Sequence, residues 1–253
     1  MSDATETKKS KKNRSFLYSE IGSGPKEAFK RLRTNVICSF TDDNSHIIGM
    51  TSAMASEGKS LLSINLASSL AEIGKKVILL DADVYRPSIH KTLKVSSEMG
   101  LAELAASENA LAIAVHRYDC SEAYSFDFIA SGEVAENPSE VLNSPKLVKL
   151  MTKLRERYDY VIIDMPPIGS VSDVASFSRL TDGMLIAVRE GHTPRTLLRE
   201  CVEQLKFAKV NIIGLVMNGS LTGSGTGYSY SYGRGYGYGK SYGYGKSYGY
   251  GYY

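Results

Sequence analysis

The sequence predicts an α/β fold in which a mainly parallel β-sheet is flanked by helices and followed by a disordered, Gly/Tyr-rich carboxyl-terminal tail. Two observations carry this. Between residues 46 and 218, short apolar runs rich in β-formers alternate with amphipathic stretches, the signature of strand and helix units around a parallel sheet. The 253-residue chain also has 17 Tyr and no Trp, and eleven of those Tyr fall in the last 26 residues. A segment of alternating Tyr, Gly and Ser presents no apolar face, so it cannot offset its own ordering entropy. The folded part is therefore expected to end near Asn218, leaving about 200 residues for one large domain with a substantial core.

The elements follow in order. Residues 1–21 read as a disordered basic arm, 22–218 as the domain and 219–253 as the tail. Gly22-Ser23-Gly24-Pro25 sets apart a first helix, Lys26 to Ser39, as an appendage to the sheet. Strands are expected at His46–Ser52, Lys76–Asp81, Phe126–Ala130, Tyr160–Asp164, Gly183–Arg189 and Asn211–Met217. In the stretch Gly58–Ile73, Leu62, Leu66, Ser69, Leu70 and Ile73 recur on one face at helical spacing. Pro145–Arg157 and Pro194–Lys209 repeat the pattern, each opening with a Pro that suits a first helical turn.

Charge divides the chain the same way. In residues 1–14, Lys8, Lys9, Lys11, Lys12 and Arg14 exceed Asp3 and Glu6 by three, and the tail adds Arg234, Lys240 and Lys246 with no acid. With a net charge of +3 overall, the middle must be −3. A slightly acidic domain lacks the concentrated basic face that counterion release needs, which excludes nucleic acid as the main partner. The basic ends read as solvated arms or as weak attachments to an anionic membrane surface. Cys38, Cys120 and Cys201 are odd in number and lack metal-ligand spacing, so they read as reduced thiols of a cytoplasmic protein. Apolar runs such as Val77-Ile78-Leu79-Leu80 are far short of the ~20 residues of a spanning helix. The Lys-rich start has no apolar stretch after it and is not read as a signal peptide. Recruitment to the inner face of the cell membrane would have to come through a partner.

The most informative segment runs from Ile47 to Ser60. An apolar strand enters a loop of small residues, and Gly58-Lys59-Ser60 then opens a helix, the context of a P-loop. Ala55, Ser56, Glu57, Gly58, Lys59, Ser60 and Leu61 would cradle the phosphates of ATP, with Lys59 reaching the β- and γ-phosphates and Ser60 binding Mg²⁺. The first Gly of the usual pattern is replaced by Ala53, so the tripeptide alone could also mark an ordinary helix N-terminus. Two more segments decide between these. Val77–Asp83 ends an apolar strand in Asp81 and Asp83, and Val161–Asp164 ends another in Asp164. A parallel sheet puts ligands at the carboxyl ends of its strands, so all three Asp are expected to converge on the loop. One such Asp could merely cap a turn; three beside a phosphate cradle are what Mg²⁺ and a general base require. The fold is thereby a P-loop NTPase. Asn218, at the end of the last strand, is a candidate adenine contact, and Arg86 either touches phosphate or caps a turn. His46, His90, His116 and His192 are isolated and suggest no site.

These residues resemble the bacterial tyrosine kinases (BY-kinases), and in particular the cytoplasmic CpsD/CapB-like kinases of capsular and exopolysaccharide clusters. The resemblance rests on the loop ending Gly58-Lys59-Ser60, on Leu80-Asp81-Ala82-Asp83-Val84-Tyr85-Arg86-Pro87, on Asp164-Met165-Pro166-Pro167, on Asn137–Leu142 and on the terminal Tyr cluster. The H-R-D and D-F-G signatures of eukaryotic kinases are absent. MinD/ParA-like ATPases share the fold and the Asp pair, but their signature lysine would fall at Met54 and is missing.

The resemblance implies a protein-tyrosine autokinase using ATP and Mg²⁺. Lys59 would stabilise the transferring phosphoryl group; Ser60, Asp81 and Asp164 would hold or support the metal; Asp81, then Asp83, would take the proton of the acceptor. The acceptors would be Tyr228, Tyr230, Tyr232, Tyr236, Tyr238, Tyr242, Tyr244, Tyr248, Tyr250, Tyr252 and Tyr253, modified in trans within a ring of subunits. An E-x-x-R-x-x-R ring motif maps to Glu27, Lys30 and Arg33, with Lys30 in place of the first Arg and Arg31 beside it. The family further implies a transmembrane activator of the chain-length-determinant type, a cognate tyrosine phosphatase and exogenous protein substrates. The alternative is a regulatory ATPase of the MinD/ParA class, for which the tail is only an interaction or self-association segment.

Overall fold

The computed structural model describes residues 16–42, 44–106, 111–133, 137–168 and 177–219. The basic residues 1–15 and the whole Tyr cluster lie outside the described residues.

Strands β1 (His46–Ser52), β2 (Val77–Asp81), β3 (Val115–Asp119), β4 (Ser125–Ile129), β5 (Tyr160–Asp164), β6 (Gly183–Arg189) and β7 (Ile212–Asn218) form one seven-stranded sheet. Their order is β3-β4-β2-β5-β1-β6-β7. Every neighbouring pair is parallel except β3 and β4. The helices are α1 (Ser23–Cys38), α2 (Lys59–Ala71), α3 (Ile89–Leu93), α4 (Leu101–Ala106), α5 (Leu111–Ala114), α6 (Pro138–Leu142), α7 (Pro145–Arg155) and α8 (Arg195–Phe207).

The two-residue period of the strands assigns the core to two faces. Ile47, Ile78, Leu80, Val161, Ile163 and Ile186 pack with Leu147, Leu150 and Leu154 of α7 and Leu205 of α8. On the other face, Ile48, Met50, Leu79, Phe128, Ile162 and Leu185 pack with Leu62, Leu66 and Leu70 of α2 and Val36 of α1. Strands β1, β2 and β5 are buried at every residue, which is why they read as continuous apolar runs.

Three sequence expectations need correction. Strand β3 was not predicted, because its residues Val115-His116-Arg117-Tyr118-Asp119 carry polar side chains; it survives as an antiparallel edge strand that is only half-buried. The face predicted for Gly58–Ile73 is too narrow. Helix α2 lies between the sheet and α1, so Ser63, Asn65 and Ser68 are buried along with Leu62, Leu66, Ser69 and Leu70, while Ile73 falls beyond its end at 45% exposure. Nor does the predicted disordered arm extend to residue 21. Tyr18 has no exposed surface. Its hydroxyl donates to Glu72 Oε2 at 2.7 Å, and Asn65 Nδ2 donates to the Phe16 carbonyl at 3.0 Å. An aromatic ring with a buried hydrogen-bond partner fixes this short strap against α2.

Candidate active site

The carboxyl ends of β1, β2 and β5 meet at one edge of the sheet. Register places Met50 opposite Asp164 and Asp81 opposite Asp164, so the two carboxylates come from neighbouring strands at the same level. Backbone bonds from Met165 to Met50 at 2.9 Å and from Ala82 to Asp164 at 2.8 Å hold the three strand ends together. The Thr51 hydroxyl adds a bond to the Pro166 carbonyl at 2.8 Å.

Beyond Ser52 the chain turns through a loop that ends at Gly58, in the left-handed region with φ 87°. That conformation favours glycine, and a Cβ there would also displace the Asn218 amide, whose Nδ2 it would meet at 2.0 Å. Gly58 gives the 13-residue helix α2 no side-chain cap. The first amides of that helix, those of Lys59, Ser60 and Leu61, are the donors an anion at a helix N-terminus uses.

Lys59 leads into the carboxylates. Its Nζ lies 2.6 Å from Asp83 Oδ2 and 3.9 Å from Asp164 Oδ2. Burial disfavours the ammonium, but Asp164 and Asp83 outweigh it and hold the Lys59 pKa above its usual value. Asp164 is completely buried. Burial pushes its pKa up to about 6, opposed by Lys59 and by the nearby Ser60 and Ser63 hydroxyls. Asp81 is equally buried, and burial together with repulsion from Asp164 pushes it up to about 7. Its oxygens accept from the amides of Asp83 at 3.2 Å, Ser88 at 3.3 Å and Ile89 at 3.2 Å, which fold the β2–α3 loop around it. Asp83 accepts the Arg86 amide at 3.0 Å, so Arg86 closes a turn through its backbone.

The residues fit a magnesium-bound phosphate group. Asp164 Oδ2 is buried and has no hydrogen-bond partner, a cost normally met by a ligand or ion. Among the described residues no three His, Cys, Asp or Glu side chains are grouped to hold a metal on their own. Mg²⁺ in phosphate sites takes one or two carboxylates and completes its shell with phosphate oxygens and water, so this sparse set suits it.

The structure brings Lys59, Ser60, Asp81, Asp83 and Asp164 together as the sequence predicted, and adds partners that sequence reasoning missed. Ser63 donates to Asp164 Oδ1 at 3.4 Å from one helical turn after Lys59. Thr193 bonds to Glu57 from the β6–α8 turn, and Arg189 reaches the Ser56 carbonyl at 3.1 Å. Their position just past the carboxyl end of β6 was the available signal. Asn218 Nδ2 donates to the Glu57 carbonyl at 3.0 Å, which sets that side chain against the loop. Of the ring-motif residues, Glu27 is exposed, whereas Arg33 donates inside the chain to Glu72 at 3.1 Å and to the Ser69 carbonyl. The three thiols are free, with Cys38 exposed and the other two buried. Among the described residues no helix is long and apolar enough to cross a membrane.

Comparison with known proteins agrees with this geometry. Residues 43–236 match the family model described as ParA, NUBPL iron-transfer P-loop NTPase. The tyrosine-protein kinase YwqD of Bacillus subtilis is 31% identical over 81% of this chain and 85% of that protein. The putative tyrosine-protein kinase EpsB of Ralstonia solanacearum is 33% identical over 82% of this chain, which spans only 27% of EpsB. Among solved structures, the kinase domain of the Escherichia coli tyrosine kinase ETK superposes with a TM-score of 0.76 at 32% identity, covering 87% of this chain and 86% of that domain. The identity to YwqD over most of both chains, with the P-loop NTPase match and the sheet shared with the ETK kinase domain, places the chain in the bacterial tyrosine-protein kinase family of P-loop NTPases.

Proposed function

We propose that this chain is an ATP-dependent protein-tyrosine autokinase that phosphorylates its own carboxyl-terminal Tyr cluster in trans and regulates capsular or exopolysaccharide biosynthesis and export. The observation that carries the reading is the Lys59 ammonium set between Asp83 at 2.6 Å and Asp164 at 3.9 Å, at the mouth of an uncapped helix. In this reading Lys59 leaves Asp83 for the ATP phosphates and stabilises charge on the group in transfer. Ser60 and Asp164 would hold Mg²⁺, with Asp81 close by; the ion supplies charge neutralisation at the phosphate oxygens. A tyrosine hydroxyl has a reference pKa near ~10. Asp81, whose carboxylate burial makes more basic by pushing its pKa up to about 7, is the first choice to accept it in its deprotonated form, and Asp83, freed from Lys59, the second.

The eleven tail Tyr recur every few residues among Gly and Ser, so many registers can present a hydroxyl to a neighbouring site. Several phosphates of roughly −1.5 to −2 charges each would reverse the basic tail and drive it from the acidic domain. We infer that multiple phosphorylation dissolves a ring in which Glu27 and Lys30 contact the next subunit. The family resemblance supports a transmembrane activator, which recruits the protein to the inner membrane face, and a cognate phosphatase. A regulatory ATPase of the ParA class is the second reading, favoured by the family model and disfavoured by Met54 at the position of that class's signature lysine.

Incubation of the purified protein with Mg²⁺, ATP and the cytoplasmic segment of the activator separates the two. Phosphotyrosine that disappears in both Lys59→Met and a tail deletion supports the kinase. Phosphate release without phosphotyrosine supports the ATPase.

A further inference from the structure

Glu57 is an acid within the phosphate loop, yet it is fully buried and its carboxylate is directed at protein partners. Oε2 accepts the Met54 amide at 2.9 Å, and Oε1 accepts the Thr193 hydroxyl. The same Thr193 oxygen accepts the Arg189 amide at 2.9 Å, and the Arg189 guanidinium returns to the loop at the Ser56 carbonyl, 3.1 Å away. From the other side Asn218 grips the Glu57 carbonyl, while its own carbonyl accepts the Glu190 amide at 3.0 Å. Held in this way, Ser56 adopts φ 66° and Gly58 φ 87°. A buried carboxylate is costly unless it is hydrogen-bonded, and the Met54 amide and the Thr193 hydroxyl supply those bonds from within the protein.

We propose that the Glu57 side chain, latched to Thr193, is a positioning group: it ties the P-loop to the β6–α8 turn, fixes the loop's shape and thereby sets nucleotide affinity without the carboxylate touching the nucleotide. The inference rests on the proposed ATP site. It makes the turn at residues 189–193, outside the P-loop motif, a functional part of that site.

The test compares the full-length parent with Thr193→Val, Glu57→Ala, Glu57→Gln and the Glu57→Ala/Thr193→Val double variant. Three quantities are read: amide exchange across residues 53–58 without nucleotide, the Kd for Mg²⁺–ADP, and Tm. Thr193→Val keeps the side-chain shape and removes only the hydroxyl. It should speed exchange in the loop, weaken nucleotide binding about threefold to fivefold and lower Tm, since the buried Glu57 carboxylate loses a donor; Glu57→Ala should weaken binding about tenfold or more. Glu57→Gln, which still accepts the Met54 amide, should fall between the parent and Glu57→Ala. The double variant should bind no more weakly than Glu57→Ala, because both changes break one latch. Parental exchange in Thr193→Val, parental affinity in both single variants, or additive losses in the double variant would each overturn the latch. If loop exchange responds as stated but the parent binds no nucleotide, the latch stands and the ATP reading is what fails.

Discussion

The Lys59 ammonium is bonded at 2.6 Å to the Asp83 carboxylate, in a pocket where the two side chains are only 11% and 6% exposed. This pair occupies the lysine before any phosphate does, and nucleotide binding has to exchange one anion for another. Removing one member of a buried pair leaves the other charge uncompensated, typically at about 3–5 kcal/mol. Lys59→Met should therefore abolish phosphotyrosine formation and also lower the stability of the nucleotide-free protein by about 3 kcal/mol. Denaturant unfolding checks this, and an unchanged midpoint would show that the pair is not formed in solution.

Asp81 and Asp164 set the pH dependence of the empty site. Their folded pKa values, about 7 and about 6, lie above the ordinary carboxylate value. The folded state thus retains protons that the unfolded chain releases, and their contribution to stability is lost as pH rises through the folded values. Without Mg²⁺ and nucleotide, Tm should fall between about pH 5 and about pH 8. Asp164→Asn should flatten the fall. A Tm that rises across this interval in the parent would contradict the buried, proton-sharing arrangement.

Backbone strain in the loop can be relieved at one position and imposed at another. Ser56 holds φ 66°, a conformation that costs a non-glycine residue about 1–2 kcal/mol. Ser56→Gly should stabilise the protein by about 1 kcal/mol, less the entropy a glycine adds to the unfolded chain, with nucleotide binding retained. Gly58→Ala strains a residue at φ 87° and displaces the Asn218 amide that holds the loop, and should weaken nucleotide binding. Thermal melts with and without Mg²⁺–ADP read both outcomes.

Arg33 and Glu27, predicted to share one role in a ring, separate in the structure. Arg33 bridges α1 to the end of α2 through Glu72, which also receives the Tyr18 hydroxyl. Arg33→Ala should destabilise the subunit itself by about 1–3 kcal/mol. Glu27→Ala, at an exposed site, should leave Tm unchanged and weaken only self-association, as seen by sedimentation. A ring role for Arg33 alone would show as lost assembly at parental Tm.

The positions of β1, β2, β4, β5, β6 and β7 and the convergence of Asp81, Asp83 and Asp164 on the loop were legible because a doubly covered parallel sheet leaves continuous apolar runs that end abruptly in carboxylates. Edge strand β3 was not legible, since half-burial lets His116, Arg117 and Asp119 break the apolar pattern. The strap at Phe16–Ile21 was hidden for a related reason: one buried Tyr18 carries it, without any periodicity. Thr193 and Arg189 act through contacts more than a hundred residues away in sequence, so no local motif marks them. Asn218 shows the limit of edge placement. The sheet put it beside the loop, but only the geometry reveals that it holds the Glu57 carbonyl.

The central claim is phosphoryl transfer from one subunit's P-loop site to the tail of another. The direct measurement mixes full-length Lys59→Met, which retains all eleven tail Tyr, with a tail-deleted chain that retains Lys59, in the presence of Mg²⁺, ATP and the activator segment. Intact-mass analysis should find several phosphates on the Lys59→Met chain, mapped to Tyr228–Tyr253. An unmodified Lys59→Met chain, under conditions in which the parent carries phosphotyrosine, would contradict transfer between subunits.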